Sequence, residues 1–422
     1  MTLVAESQPD IIEELATGTQ LRVLLVAGTS PGEPGVGGVI LRDLVATHGT
    51  EHMHACWLNP NRDKQPHYIP ELATTFFERR YENGWRPVSG AVGELVSCVA
   101  TNTLRRPLVN RAVQGIQQKV AQFKPDVVLC VLESGMAVQV MARLLKNLTV
   151  PVRTIVWDDV DTFCPEGNLD HWTRRTIAND FKAVLQASER VAVICENMQA
   201  AYKRDHGIDS FVLRHGMPRV DEASPQLQKR DEILRIGFAG SITTPDCIRS
   251  FINTLDSVGW NIAGHRVCLR MLGARFQLGT LSKQWIEYFG WRDVSETRDL
   301  LGECDLLYLP QSFEPKLRHL SELSFPTKLS TYVAARRPIL LQAPEYASLR
   351  KFWTRYPLGP VIESLNEKDV QSGIEVIAQC DDDQQANWLQ TITRAHEEAL
   401  SEDLFREGVK RLLAPKILGG TS

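Results

Sequence analysis

The chain has 422 residues, of which 43% are hydrophobic and 23% charged, and its formal net charge is −4. This length exceeds one ordinary domain and favours two domains of about 200 residues each. The near-balanced charge provides no overall attraction to nucleic acid or to an anionic membrane surface, so a nucleic-acid partner is not predicted.

The N-terminal stretch "MTLVAESQPDIIEELATG" carries acidic residues and no long apolar run, which differs from the pattern of a signal peptide. No window offers about 20 consecutive apolar residues, so a membrane-spanning helix is not predicted. The nine cysteines have no paired spacing, which is typical of reduced thiols. The expected location is the cytoplasm, with a peripheral contact at the inner face of the membrane left open.

Apolar runs of strand length alternate with helical segments through the first half of the chain. The predicted strands of this half are 21–28, 53–59, 125–132, 152–159 and 190–196. Helices are predicted at about 39–46 and at 108–123, whereas residues 60–100 mix Pro and aromatic residues with charges and give no clear pattern. Strands that are apolar on both faces and are joined by helices indicate a parallel sheet covered on both sides.

The same alternation begins again after a polar segment, 216–233, whose Pro, Gly and charged residues are typical of a linker. The predicted strands of the second half are 234–241, 266–273, 286–291, 304–310 and 337–342. The fold prediction is therefore α/β, with two Rossmann-like, doubly wound domains. The predicted domains are 1–215 and 234–382, and a helical segment, 383–422, is expected to cross back to the first domain.

The stretch "SELSFPTKLSTYVAARRPILLQ" (321–342) predicts a phosphate-binding turn at the start of a helix. Pro326 suits the first turn of a helix, because an N–H at that position would have no partner within the helix. The free N–H groups of that turn and the helix dipole attract anions, and Lys328 adds a full positive charge. The alternative is an ordinary helix whose lysine is solvated.

A second glycine-rich turn follows the first predicted strand, in "TSPGEPGVGG". Gly35, Gly37 and Gly38 would let the backbone approach a ligand closely. The segment matches neither the dinucleotide fingerprint nor a Walker loop. Two Rossmann-like domains that each present such a turn indicate one shared ligand.

This order of elements resembles the GT-B fold of retaining glycosyltransferases of group 1, the family 4 type. The resemblance covers most of the chain and is densest in "RIGFAGS", "VCLRMLG", "IEYFGW", "LLGECDLLYLPQSFE" and "FPTKLSTYVAARRPIL". It implies that the first domain is the acceptor side and the second binds the nucleotide sugar. The segments "WDDVDTF" and "ASERVAVICENMQAAYKRDHGI" resemble the corresponding parts of the first domain.

The resemblance also implies roles for particular residues. The implied catalytic residues are Glu314, in the place of the first Glu of the family's Glu-x7-Glu motif, and Asp158, at a strand end. The implied donor-diphosphate residues are Gly37, Gly38, Ser241, Thr327 and Lys328. The implied donor-sugar or base residues are Trp291, Arg292, Lys316 and Thr331. No metal ligands and no cofactor are predicted, and the nucleotide-diphosphate sugar is a co-substrate.

The sequence departs from the family at two positions. Thr331 stands where the family has its second Glu, and the segment after Ser241 lacks the family's basic pair. Two alternatives therefore stay open beside a retaining hexosyltransferase acting on a glycan, lipid-linked or small-molecule acceptor. One is a catalytically degenerate binding or assembly protein, and the other is an enzyme of the nucleotide-sugar 2-epimerase type.

For single residues the structural alternatives also stay open. Asp158 and its neighbour Asp159 would serve equally as a helix cap or as an ion-pair partner of Arg174. Trp291 would serve equally as a core residue. The basic stretch "LRRPLVNR" (104–111) is either a solvated face or a contact for an anionic acceptor or lipid headgroup. The sequence does not indicate an oligomeric state.

Overall fold

A computed structural model describes residues 20–60, 68–80, 90–165, 169–218, 232–273, 279–280 and 282–415. The predicted linker, 216–233, lies mostly outside the described residues. Within the described part of the chain, no helix is both long and apolar enough to cross a membrane.

The first sheet has seven strands in the spatial order β3-β2-β1-β4-β5-β6-β7. They are β1 (Val23–Ala27), β2 (Met53–Asn59), β3 (Ala73–Glu78), β4 (Val127–Val131), β5 (Val152–Val156), β6 (Arg190–Val193) and β7 (Phe211–Val212). In the central strands β1, β4 and β5 every residue is buried, so both faces of the sheet are covered. This is the parallel arrangement that continuous Val, Leu and Ile runs predict.

Helices connect these strands. They are α1 (Val36–His48), α2 (Gly90–Phe123), α3 (Gly135–Leu144), α4 (Val160–Phe163), α5 (His171–Ala187) and α6 (Glu196–His206). Their starts follow local capping chemistry. Ser134 accepts a hydrogen bond from the Ala137 N–H before α3, and Asp170 accepts one from the Thr173 N–H before α5.

The second sheet has the order β11-β10-β8-β12-β13-β14, with the short β9 paired antiparallel to β10. Its strands are β8 (Ile233–Ala239), β9 (Asn261–Ile262), β10 (His265–Leu272), β11 (Ile286–Gly290), β12 (Leu306–Pro310), β13 (Ile339–Gln342) and β14 (Val361–Ile362). The helices are α7 (Pro245–Ser257), α8 (Val294–Gly302), α9 (Arg318–Leu323), α10 (Lys328–Ala334), α11 (Ser348–Arg355), α12 (Glu367–Ala378), α13 (Asp382–Ala395) and α14 (Glu402–Leu413). Its core includes Phe251, which stacks on Tyr308 with ring centroids 4.1 Å apart.

The chain divides into two compact units, and the α/β prediction of two parallel-sheet Rossmann-like domains is confirmed. One unit comprises the described residues of Met1–Ile155, Gly167–Val191 and Glu407–Ser422, and the other those of Val156–Glu166 and Ala192–Arg406. The predicted domain boundaries stay a prediction.

Two arginines of the first unit hold the end of α14. The Arg153 guanidinium donates to the Leu412 carbonyl at 2.9 Å and pairs with Glu189 at 2.9 Å, and only 2% of its side chain is exposed. Arg190 donates to the carbonyls of Arg411 and Ala414. Cations suit this position because the last carbonyls of a helix lack intrahelical partners.

The region 60–100, where the sequence showed no clear pattern, holds β3 and the first part of α2. β3 is an edge strand whose residues are half-buried or exposed, so it lacks the continuous apolar run that identifies the other strands. In the N-terminal part of α2 the large apolar residues lie on the solvent side: Val92, Leu95 and Val99 are 69%, 56% and 60% exposed. Without an apolar face toward the core, the helix leaves no amphipathic signal.

Candidate functional site

In the second unit, the end of β8 and the start of α10 lie side by side. Gly240 and Ser241 follow β8 directly, and Lys328 is the first residue of α10. The Lys328 ammonium donates to the Ser241 carbonyl at 3.3 Å and lies 4.3 Å from the centroid of the Phe238 ring. In open α/β sheets this carboxyl end of the strands is where ligands bind.

Lys328 is half-buried, and burial lowers the pKa of its ammonium from the ordinary 10.5 to about 8. Burial is the cause of this shift. Among the described residues, the ammonium contacts a carbonyl and an aromatic face and forms no ion pair with a carboxylate. A cation removed from water without an anionic partner is costly. A bound anion would supply such a partner.

The turn before α10 differs in detail from the prediction. Pro326 precedes the helix, and Thr327 occupies the N-cap position without a side-chain cap. The N–H groups of Leu329 and Ser330 donate to the carbonyls of Pro326 and Thr327, at 3.0 and 3.2 Å. These two amides are therefore engaged inside the turn, and the positive charge of Lys328 is the main attraction for an anion.

A tyrosine that the sequence analysis did not select fixes α10 against the sheet. The buried Tyr332 hydroxyl accepts a hydrogen bond from the Ala239 N–H at 2.9 Å and donates to the Tyr308 carbonyl at 3.2 Å. These contacts join α10 to β8 and β12, the neighbouring strands whose ends carry the candidate site. Thr331, the residue before, lies half-buried in α10.

The loop after β12 places Glu314 at the same edge of the second sheet. Asp246, in the first turn of α7, accepts hydrogen bonds from the Ser312 hydroxyl at 2.8 Å and the Phe313 N–H at 2.7 Å. The Glu314 N–H in turn donates to the Ser312 hydroxyl at 3.1 Å. The Glu314 carboxylate pairs with Lys316 at 2.8 Å, and the lysine side chain is 76% exposed. No local pattern in the sequence marks Asp246, because its two partners lie 66 and 67 residues later in the chain.

The other predicted residue pair in this unit follows β11 at the edge of the sheet. Trp291 is 67% exposed, so it is not a core residue. Arg292 is also exposed, and its guanidinium donates to the Trp291 carbonyl at 3.1 Å.

Asp158 and Asp159 lie in the 156–166 segment of the second unit. Asp159 is buried, caps α4 by accepting from the Asp161 N–H at 3.1 Å, and accepts from the Tyr202 hydroxyl at 2.9 Å. Asp159 is therefore the residue that serves as a helix cap. Asp158 is half-buried, and burial, together with the neighbouring Asp159 charge, raises the pKa of its carboxyl above the ordinary value.

In the first unit, a half-buried carboxylate holds the turn after β1. Glu133, two residues beyond β4, accepts from the N–H groups of Gly28 and Thr29 at 2.7 and 2.8 Å and from the Thr29 hydroxyl at 2.9 Å. Burial raises the pKa of Glu133, while these hydrogen bonds act in the opposite direction. The amides at the end of β1 therefore bind an internal anion. No local pattern in the sequence marks Glu133 for this role.

Gly38 has a packing role in the same loop. It lies in the first turns of α1, and a Cβ there would come within 1.9 Å of the Glu33 carbonyl oxygen. The Gly38 carbonyl accepts from the Gly32 N–H at 2.8 Å, which keeps the loop and the helix in contact. Gly37, its neighbour in the helix, is half-buried.

We therefore expect Gly38→Ala to lower the free energy of unfolding by about 2–4 kcal/mol, because the obstacle is backbone. Gly302→Ala is the matched control, since its Cβ would meet only the Ala335 carbonyl at an ordinary 3.7 Å. Urea unfolding of both variants measures the difference. Equal stability of the two would show that the loop moves aside freely.

No family model and no curated protein sequence matches the chain. Solved structures do match. HepE from Anabaena, in complex with UDP and glucose, is 12% identical with a TM-score of 0.63, covering 94% of this chain and 100% of that one. Sucrose-phosphate synthase from Thermosynechococcus elongatus is 12% identical with a TM-score of 0.65, covering 93% and 98%.

The chain has the GT-B fold. A third solved structure, WaaG, a glycosyltransferase involved in lipopolysaccharide biosynthesis, is 11% identical with a TM-score of 0.58, covering 93% of this chain and 100% of that one. The GT-B fold accounts for the two parallel sheets and for the gathering of Ser241, Glu314 and Lys328 at strand ends of the second sheet. Among the described residues, no group of three or more His, Cys, Asp or Glu is arranged to hold a metal ion.

Proposed function

We propose that this protein is a retaining hexosyltransferase of the group 1, family 4 type, which transfers a sugar from a nucleotide-diphosphate sugar to a glycan, lipid-linked or small-molecule acceptor. The observation that carries the proposal is Lys328, a half-buried ammonium at the carboxyl end of β8 that has no carboxylate partner in the described part of the chain. The GT-B fold supports it, as does the complex of the similar HepE with UDP-glucose.

In this proposal the charge of Lys328 stabilises the diphosphate as it departs. Negative charge grows on the leaving group in the transition state, so a preorganised cation lowers the barrier more than it strengthens ground-state binding. Ser241 and Thr327 flank the ammonium and contribute polar groups to the same anion. The assignment of Gly37 and Gly38, in the first unit, to donor binding rests on the resemblance and is part of the same proposal. The nucleotide sugar is a co-substrate, and the proposal includes no resident cofactor or metal.

The remaining residues orient the sugar and the base. Glu314 accepts hydrogen bonds from sugar hydroxyls, which holds the sugar in place while the diphosphate leaves. Lys316, which pairs with Glu314 in this structure, and Thr331 also contact the donor. Trp291 and Arg292 contact the base. Asp158 acts at the acceptor side. With retention, the departing phosphate takes the acceptor proton, so no side-chain nucleophile is assigned.

A ligand screen followed by a transfer assay tests this function. A nucleoside diphosphate or its sugar that binds only the folded state stabilises it by about 2.7 kcal/mol at a concentration 100 times its Kd. We expect one base among the nucleoside diphosphates to raise the melting temperature most, and its sugar to be hydrolysed or transferred. A panel without any stabilising nucleotide would refute the proposal.

Two variants test whether the assigned site residues carry the transfer reaction. We expect Glu314→Ala and Gly37→Val to reduce transfer strongly, with the melting temperature nearly unchanged. Glu345→Ala, an exposed acid of the same unit, is the control. Transfer by both variants at the parent rate would place the site elsewhere in the chain.

Two observations favour a second candidate, a binding protein without catalysis. Glu314 already has a partner in Lys316, and Thr331 replaces the family's second Glu. Nucleotide-sugar binding without hydrolysis or transfer to any acceptor would support this candidate over the enzyme.

A further inference from the structure

The outer edge of β3 lacks the features that usually keep an edge strand from pairing with another chain. Among the described residues, β3 pairs with β2 alone. Its sequence, ATTFFE, contains no Pro and no Lys, and its register with β2 runs from Ala73 to Glu78 without a bulge. Proline, lysine and bulges are common protections of such edges, whereas β-branched and aromatic residues favour pairing. The edge is therefore suited to bind a further strand.

The backbone groups of β3 face outward at alternate residues. The Arg79 N–H, directly after the strand, donates to the Asn59 carbonyl of β2 at 3.1 Å, so every second N–H before it also faces β2. The N–H groups of Thr74 and Phe76 lie between these and face the outer edge. In an antiparallel pair, opposed residues of this kind exchange two N–H···O bonds. A further strand would thus form hydrogen bonds at Thr74 and Phe76.

Side chains on both faces hold β3 in place and leave apolar surface beside it. Phe77 packs closely against α2, because a Cβ at Gly115 would lie 2.3 Å from its ring. On the other face, the Phe76 and Trp57 ring centroids are 5.6 Å apart. Both phenylalanines are nevertheless only half-buried, and a cavity of about 340 Å³ lies between Phe77 and Leu108 of α2. This apolar surface is available for a partner to cover.

We propose that β3 pairs with β3 of a second copy of this chain, antiparallel and about a two-fold axis at Thr75. A two-fold axis brings the same surface of both copies together, so the edge has to complement itself. Thr75 then lies opposite Thr75 of the second copy. Thr74 lies opposite Phe76, and Ala73 lies opposite Phe77. Each of these pairs shares one face of the joined sheet, and Thr74 with Phe76 forms the hydrogen-bonded pair.

The side chains of this register fit one another, which favours a second copy over a strand of another protein. Thr74 with Phe76 is a pair of a β-branched and an aromatic residue, a type that stabilises antiparallel sheets. Ala73 has a small side chain and leaves room for the ring of Phe77. Beyond the strand ends, the exposed Glu71 comes near Arg79 of the second copy, so opposite charges meet. The pairing is independent of the proposed function, because it involves neither donor nor transfer.

The oligomeric state of the full chain tests the pairing. We expect sedimentation equilibrium at micromolar concentrations to show a dimer without any nucleotide. Thr74→Pro removes an outward N–H and should raise the dimer dissociation constant more than about tenfold. This N–H does not face β2, so the strand tolerates the proline, which circular dichroism and melting check. Thr74→Val is the matched control: it keeps the N–H and the branched Cβ, and should dimerise like the parent.

A cysteine crosslink tests the register. Thr75→Cys should form a covalent dimer with oxidised glutathione, because residues opposed at a non-hydrogen-bonded position have Cα atoms about 4.5 Å apart. Thr74→Cys should not, because the two copies of residue 74 are diagonal neighbours about 7–8 Å apart. The parent, treated in the same way, controls for the native cysteines. A monomeric parent, a folded Thr74→Pro that dimerises as tightly as the parent, or a crosslink at residue 74 instead of 75 would each overturn the proposal.

Discussion

Replacing Lys328 with Met is expected to weaken binding of the nucleoside diphosphate by roughly ten- to a hundredfold, as for the loss of a charge-assisted contact. Methionine keeps an apolar stem against Phe238 and removes only the charge. Isothermal titration of the parent and the variant measures the difference. Lys203→Met is the control, since Lys203 is 59% exposed and paired with Asp209 in the same unit.

The pH dependence gives a second readout of the same residue. Because burial lowers the pKa of Lys328 to about 8, the parent should lose affinity for the diphosphate as pH rises through that value. The folded pKa lies below the unfolded one, so between about pH 8 and 10.5 the unfolded chain holds more protons and this group makes stability rise with pH. Lys328→Met should remove both effects. Equal pH profiles in the parent and the variant would exclude Lys328 from the site.

Replacing Glu133 with Ala is expected to lower the free energy of unfolding by about 2–4 kcal/mol. The substitution leaves the N–H groups of Gly28 and Thr29 and the Thr29 hydroxyl without their acceptor. Glu133→Gln keeps an oxygen for the two amides, so it should cost far less. Urea unfolding measures both variants, with the exposed Glu71→Ala as the control.

The carboxyl of Glu133 also predicts a dependence on pH. Its pKa in the folded protein is raised above the ordinary 4.5, with burial as the main cause. The folded protein therefore binds the carboxyl proton more tightly than the unfolded chain does. The resulting stabilisation is complete below the unfolded pKa and is lost as pH rises through the folded pKa. The difference between the parent and Glu133→Gln should therefore change with pH above about 4.5. If the Ala variant matched the parent at every pH, Glu133 would not be holding the turn.

These two residues show different limits of prediction from the sequence. Lys328 was predicted because local features, a proline, a hydroxyl residue and a following apolar strand, mark the start of a helix. The role of Glu133 depends on amides more than 100 residues earlier in the chain, so no local pattern contains it. The sequence does not predict the roles of Tyr332 and Asp246 for the same reason, because each forms hydrogen bonds with a strand or loop that is far from it in the sequence.

The sequence by itself determined the two parallel sheets, because strands buried on both faces must be apolar at every position, and that composition is visible without the fold. It did not reveal β3 or the first part of α2, because an edge strand and a helix with its apolar residues toward solvent lack that signature. Only the tertiary structure decided the state of the candidate groups. The low pKa of Lys328, the pairing of Glu314 with Lys316 and the carboxylate in the turn after β1 all come from burial and from neighbours brought close by folding. Such energies depend on distance in space, which spacing along the chain does not report.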